Sequence, residues 1–182
     1  IDYSTYSSQT TGYDGEGQLT SAISYVTSDE MPVMYELQGH GETALNGNFK
    51  DAIEKANVTL NSLNLMQADS IPEDAQALII NVPTSDFSSD DASKVIDYIN
   101  KGGKLFVTLS YTDADMSNFY SVLNEFGITA VEGMVMESNT GSYYQAPYYL
   151  LPNVESSALT SGVDGYVFTP VSYTHLTLPT TE

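Results

Sequence analysis

Residues 77–82 read ALIINV, a continuous apolar run typical of a strand buried on both faces of a parallel sheet. Residues 88–91 (SSDD) then supply an N-cap and an acidic first turn, which the helix dipole favours. Gly102 and Gly103 end that helix, and residues 104–110 (KLFVTLS) form the next strand. We predict that neighbouring central strands bury four aliphatic side chains, namely Ile79, Ile80, Val107 and Leu109.

Helices and strands alternate outward from this unit. Apolar residues at helical spacing predict three further helices, with the stripes Leu19, Ala22, Ile23 and Val26; Phe49, Ala52, Ile53, Ala56 and Leu60; and Met116, Phe119, Tyr120, Leu123 and Phe126. Further strands are predicted over residues 32–37, 63–67 and 128–136, the last bent at Gly133, and over residues 165–169. Strands that alternate with helices imply right-handed βαβ units. The predicted fold class is therefore α/β, with a mainly parallel sheet flanked by helices.

The composition excludes several classes of function. The 182 residues include 24 acidic side chains against 5 basic ones, all lysine, for a net charge of −19. These few cations cannot neutralise nucleic-acid phosphates or dock on anionic lipid head groups, so no nucleic-acid partner is expected. The absence of cysteine rules out disulfides, thiolate nucleophiles, iron–sulfur clusters and cysteine-ligated zinc. The same composition is compatible with a location outside the cytoplasm.

The two ends of the sequence predict an incomplete domain. The chain does not open with Met, and no apolar run in it approaches the roughly 20 residues of a membrane helix. Residues 171–180 (VSYTHLTLPT) match the in-frame translation of a transposase-type sequencing adaptor, with an ordinary Thr-rich tail as the alternative. We therefore expect an extended lead-in over residues 1–15, a truncated α/β domain over residues 16–170 and a non-native tail over residues 171–182.

The turn Gly39-His40-Gly41-Glu42 follows a predicted strand, and ligands of open α/β sheets bind at the carboxyl ends of strands. His40, the one histidine outside the predicted tail, would act as a base or ligand with Glu42 as its orienter. Both glycines would let the backbone approach a ligand closely. The alternative is a structural turn, in which the glycines adopt unusual dihedral angles and His40 caps a carbonyl. The spacing of these residues is too short and too common to identify a particular reaction.

Two other groups of residues are candidates for binding. Asp113 and Asp115 follow the strand over residues 104–110 and would hold a hard cation, although an N-cap role explains Asp115 equally well. Since the sequence offers no third and fourth oxygen ligand beside them, no metal or cofactor is expected. A tyrosine cluster would form a partner-contact surface or would pack against absent C-terminal residues; its members are Tyr143, Tyr144, Tyr148 and Tyr149.

Five stretches of the chain carry a resemblance to a known family: residues 19–27, 32–42, 71–80, 96–105 and 124–128. Together they resemble the soluble extracytoplasmic domain of GldG-type proteins, a family linked to gliding motility and to uncharacterised ABC-type transport systems. The likeness covers residues 16–137. Its strongest elements are the helix that reads LTSAISYVT and the GHGE turn that comes after it.

This resemblance implies a flavodoxin-like or class I amidotransferase-like three-layer sandwich on the extracytoplasmic face of a bacterial membrane. The implied role is auxiliary to an ABC-2-type permease, with the permease and other membrane-complex subunits as partners and the membrane anchor in segments absent from this chain. No settled enzymatic activity is implied, and the nucleophilic cysteine of the amidotransferases is missing here. No residue is therefore assigned a catalytic role.

Two other functions stay open from the residues alone. A hydrolase or sugar-processing enzyme would use His40 and Glu42 with Asp113 or Asp115. A cell-surface carbohydrate or peptide binder would use the tyrosine cluster instead. The enzyme hypothesis gains if His40, Glu42 and Asp113 converge in a concave pocket, and it loses if His40 only caps a turn.

Overall fold

The structure, a computed structural model, describes residues 15–28, 31–110, 112–131, 135–157, 160 and 175–177. In chain order its elements are α1 (Gly15–Thr27), β1 (Val33–Gln38), α2 (Gly47–Lys55), β2 (Thr59–Asn64), β3 (Ala75–Asn81), α3 (Ser89–Asn100), β4 (Lys104–Thr108), α4 (Ser117–Asn124), β5 (Thr129–Val131) and β6 (His175–Thr177). The chain forms two compact units, residues 1–81 with 98–107 and residues 82–97 with 108–182. No helix of the described part is long and apolar enough to cross a membrane.

The main sheet has four parallel strands in the order β2-β1-β3-β4. Strand β1 pairs with β2 in unbroken register from Val33↔Thr59 to Gln38↔Asn64, and with β3 on its other side. After β1 the chain forms β2 on one side of β1 and then crosses back to form β3 on the other side. The direction of winding reverses here, so a topological switch point lies between β1 and β3. The predicted α/β class with a parallel sheet flanked by helices is confirmed.

The core of the first unit lies on the two inner strands. Ile79 and Ile80 of β3 are buried as predicted, and so is Leu37 of β1. Val107 and Leu109 are only half-buried, and Leu109 lies beyond the end of β4. The prediction of central burial is wrong for these two residues because β4 is an edge strand of the sheet.

The junction between α2 and β2 differs from the sequence prediction. Leu60 was predicted on the helix, but α2 ends at Lys55, and Asn57 adopts a left-handed conformation with φ of 58°. Strand β2 then begins at Thr59, so the strand predicted over residues 63–67 is four residues too late. Asparagine tolerates the left-handed region better than most residues, and this single residue redirects the chain.

Helix α3 begins and ends where the sequence predicts. Ser88 Oγ accepts a hydrogen bond from Asp91 N at 3.0 Å and donates to the Asp91 carboxylate at 2.7 Å. Gly102, with φ of 93°, and Gly103 close the other end, donating to the carbonyls of Ile99 at 2.8 Å and Tyr98 at 3.0 Å. This pair of bonds is a Schellman motif.

The ring of Tyr98 lies directly over Gly103. A Cβ on Gly103 would come within 2.4 Å of three Tyr98 ring carbons, and Tyr98 Oη accepts a bond from Lys104 N at 3.2 Å. Burial raises the pKa of the Tyr98 phenol. The second glycine of the GG pair thus provides space for a ring rather than an unusual dihedral angle.

In the second unit, α4 buries Phe119 and Leu123 of the predicted apolar stripe, and Met116, the residue just before the helix, is buried as well. Phe126 lies beyond the helix end and is exposed. Asp86, not singled out from the sequence, accepts bonds from the first-turn amides of Asn118 at 3.1 Å and Phe119 at 2.8 Å. A carboxylate from 32 residues earlier therefore caps this helix.

The strand predicted over residues 128–136 is shorter in the structure, where β5 covers only Thr129–Val131. The lead-in over residues 1–14, Gly133 and the strand predicted over residues 165–169 lie outside the described residues. In the predicted tail, His175–Thr177 pairs antiparallel with β5, a pairing the sequence did not predict.

Deletion of residues 171–182 is expected to leave the melting temperature unchanged within error. The described part of this tail contributes a three-residue, two-stranded pairing, and such a pairing adds little stability by itself. Thermal unfolding of the full and shortened chains measures the difference. A clear loss of stability would show that the tail is part of the evolved fold.

Candidate functional site

The Gly39-His40-Gly41-Glu42 turn lies where it was predicted, between the carboxyl end of β1 and helix α2. Gly39 and Gly41 have φ of 123° and 73°, values that non-glycine residues rarely adopt. A Cβ on Gly39 would also press on Met66 and Asn64 at 3.1–3.3 Å. The two glycines are therefore required by the path of the backbone itself.

His40 and Glu42 face inward and meet each other. Their side chains are only 5% and 3% exposed, and His40 Nδ1 lies 3.4 Å from Glu42 Oε1. The other carboxylate oxygen, Glu42 Oε2, accepts a bond from the backbone N–H of His40 at 2.7 Å. The carboxylate thus ties the turn to itself through the His40 amide, and its other oxygen faces the His40 ring.

Glu36 is a second buried carboxylate beside this turn. From β1 its Oε1 accepts a bond from Leu45 N at 2.7 Å, and its Oε2 lies 3.3 Å from Lys50 Nζ on α2. A buried charge needs such partners. Sequence reasoning did not single out Glu36, although an acidic residue inside the apolar strand PVMYELQ was the available signal.

The loop after β1 closes over the end of β3. Thr43 N donates to Asn81 O at 2.8 Å, and Asn81 Nδ2 donates to Thr43 O at 2.5 Å. These bonds span the switch point between β1 and β3, where open α/β sheets ordinarily bind ligands. A cleft of about 290 Å³ remains, lined by residues 36–39 and 41–44.

The aspartates predicted as ligands belong to the second unit. Asp115 Oδ1 accepts a bond from Ser117 N at 3.0 Å, two residues along the chain. The N-cap residue of α4 is Met116, so the predicted N-cap role of Asp115 is wrong. Asp113 is exposed. Within the described part of the chain, no group of three or more His, Asp or Glu side chains has the geometry to hold a metal ion.

The tyrosine cluster forms a hairpin-like loop. Tyr143 bridges to Leu150, and Tyr144 N donates to Tyr149 O at 2.8 Å. The rings of Tyr148 and Tyr149 lie 4.7 Å apart, centroid to centroid, while Tyr144 is exposed. A partner-contact role for Tyr144 therefore stays a hypothesis that the geometry permits.

Comparisons with known proteins bear on the fold of the chain alone. No family model matches the chain, and no curated protein matches it either. Among solved structures it is similar to one described as "mmIFT52 N-terminal domain", with a TM-score of 0.56 and 16% identity over 80% of this chain and 68% of that chain. The shared feature is the fold. At this identity the likeness carries no functional residue across.

Replacing His40 with glutamine is expected to keep the fold at a cost below about 1 kcal/mol, whereas alanine is expected to cost about 1–3 kcal/mol. Alanine leaves the buried Glu42 carboxylate facing a void, while glutamine retains a hydrogen-bonding side chain of similar reach. Urea denaturation of the two variants measures both values. Equal losses for glutamine and alanine would contradict the view that a hydrogen-bonding side chain at this position stabilises the turn.

Proposed function

We propose that the chain is a non-catalytic, partner-binding domain of an ABC-2-type transport system, held on the extracytoplasmic face of a bacterial membrane. The single observation that carries the non-catalytic part is the inward orientation of His40 and Glu42. A general base must reach the proton that it abstracts from a substrate. These two side chains are at least 95% buried and contact each other instead.

The surroundings of the turn also favour binding by surface contact over chemistry. The Thr43–Asn81 bonds occupy the position of the usual ligand crevice. In the remaining cleft, the Glu36 carboxylate is already held by Leu45 N and Lys50 Nζ. Both oxygens of Glu36 are therefore engaged, and one oxygen of Glu42 accepts a bond from the His40 amide.

Support for the transport-complex part comes from the sequence. The resemblance to GldG-type extracytoplasmic domains covers residues 16–137, which include the whole turn. The expected partners are the ABC permease and the other subunits of its membrane complex. The membrane anchor is expected in segments that lie outside this chain.

Recovery of the full-length gene with its neighbours tests this proposal. The expected result is a coding sequence with at least one membrane-spanning segment, beside genes for an ABC ATPase and an ABC-2-type permease. Co-expression should then give a complex of the full-length protein with that permease in mild detergent. Neighbours of another kind, or a permease that never co-purifies, would overturn the proposal.

A further inference from the structure

The tyrosine cluster lies on a loop over residues 138–154, here called the Tyr144 loop, that is held in shape by its own backbone. Tyr144 N donates to Tyr149 O at 2.8 Å, and Leu151 N donates to Ser142 O at 2.8 Å. Between these two bonds, Tyr149 N donates to Ala146 O at 2.9 Å and closes the turn. A loop that is already ordered loses little conformational entropy when it binds a ligand.

The turn of this loop exposes Tyr144 and Gln145. Tyr144 is 54% exposed and Gln145 is exposed as well, while the other three members of the tyrosine cluster are half-buried. Gln145 has φ of 60°, a left-handed value that is uncommon for residues other than glycine. The turn therefore presents one accessible aromatic ring, followed by one accessible amide side chain.

The Tyr144 loop carries no charge of its own. Residues 138–154 contain no Asp, Glu, Lys or Arg, although such residues make up 16% of the chain, and all of them lie within the residues that the structure describes. The exposed polar side chains of the loop are hydroxyls and amides, from Ser138, Asn139, Thr140 and Gln145. A ligand therefore forms no ion pair with the loop itself, and this favours a neutral ligand.

These exposed side chains match the chemistry of a sugar. One face of a pyranose ring presents C–H groups that pack on an aromatic ring, and the hydroxyls around its rim both donate and accept hydrogen bonds. Tyrosine combines an apolar ring with a polar tip. The Gln145 amide has two N–H donors and one acceptor oxygen, so it is able to bond to two neighbouring sugar hydroxyls.

Size and charge separate a neutral sugar from other ligands. A stable protein interface buries about 800 Å² on each partner, whereas Tyr144 is the one large apolar side chain exposed among residues 138–151. An anionic polysaccharide would approach a chain of net charge −19, and long-range repulsion disfavours that approach.

We propose that the Tyr144 loop binds a neutral oligosaccharide, with the Tyr144 ring stacked on a sugar ring and Gln145 bonded to the sugar hydroxyls. The site belongs to the second unit, whereas the GHGE turn belongs to the first. This binding activity goes beyond the proposed function and does not depend on it.

Native gel electrophoresis of the purified chain, in gels with and without a dissolved polysaccharide, tests the site. The net charge of −19 drives the chain through the gel, and a neutral polymer slows a protein that binds it relative to a protein that does not. The neutral probes are laminarin, hydroxyethylcellulose and galactomannan, with alginate as the anionic comparison. We expect at least one neutral polymer to retard the wild type.

Variants of the turn identify the groups that bind. Tyr144→Ala is expected to weaken binding by about tenfold, as removal of an aromatic anchor commonly does, whereas Tyr144→Phe keeps the ring and most of the binding. Gln145→Gly accepts the same φ but lacks the amide, and is expected to bind about threefold more weakly. Tyr25→Ala is the matched control, because Tyr25 is 58% exposed but lies on α1 of the first unit. Equal melting temperatures show that the variants are folded.

Several results would overturn the proposal. A wild type that none of the three neutral polymers retards has no such site. Binding that Tyr144→Ala retains, or that Tyr25→Ala loses, contradicts its assignment to this loop. Stronger retardation by alginate contradicts a neutral ligand. Loss of the permease complex from Tyr144→Ala, with no polysaccharide bound by the wild type, assigns the loop to a protein partner instead.

Discussion

Replacing Gly103 with alanine is expected to lower the free energy of unfolding by about 3 kcal/mol, the upper end of ordinary overpacking. The new methyl group would come within 2.4 Å of three carbons of the Tyr98 ring. That ring is nearly buried, and its hydroxyl accepts a bond from Lys104 N, so it cannot move aside without losing both packing and a hydrogen bond. Urea denaturation measures the loss.

Two further variants isolate the clash as the cause. Gly47→Ala, where a Cβ meets nothing within 4 Å, is expected to be neutral or to stabilise by about 0.5 kcal/mol. In a Tyr98→Ala background, Gly103→Ala is expected to add little further cost, because contacting residues are strongly non-additive. A full penalty without the ring would assign the effect to the backbone and contradict the packing explanation.

Replacing Ile80 with alanine is expected to cost about 2–5 kcal/mol, the range for large-to-small substitutions in a core. Ile80 is fully buried on the inner strand β3, so its removal leaves a cavity. Val107→Ala is the comparison, with a smaller expected loss because Val107 is half-buried on the edge strand β4. Equal losses at both positions would contradict the strand order.

Features specified by neighbouring residues could be predicted from the sequence. The SSDD start and the GG end of α3 depend on backbone groups within a few residues, and both are confirmed. The apolar run at residues 77–82 likewise identified β3. The position of the GHGE turn followed from the strand before it and the helix after it.

Features that depend on distant partners could not be predicted. Asp86 caps a helix 32 residues away. The buried carboxylate of Glu36 is stabilised by Leu45 N and by Lys50 of the next helix. The stripe on α1 predicted a helix correctly, but periodicity alone does not say which face packs inward. Here the bonds between Ser21 and Asn57 decide it.

At the candidate site, the sequence placed His40 and Glu42 together and left both roles open. The choice depends on burial and on Glu42 Oε2, which bonds to the His40 amide of its own turn. Hydrolysis of chromogenic ester, amide, phosphate and glycoside substrates by the purified chain, measured beside His40→Gln, tests the non-catalytic role most directly. The expected result is the same background rate for both proteins; turnover by the wild type that His40→Gln abolishes at an unchanged melting temperature would contradict it.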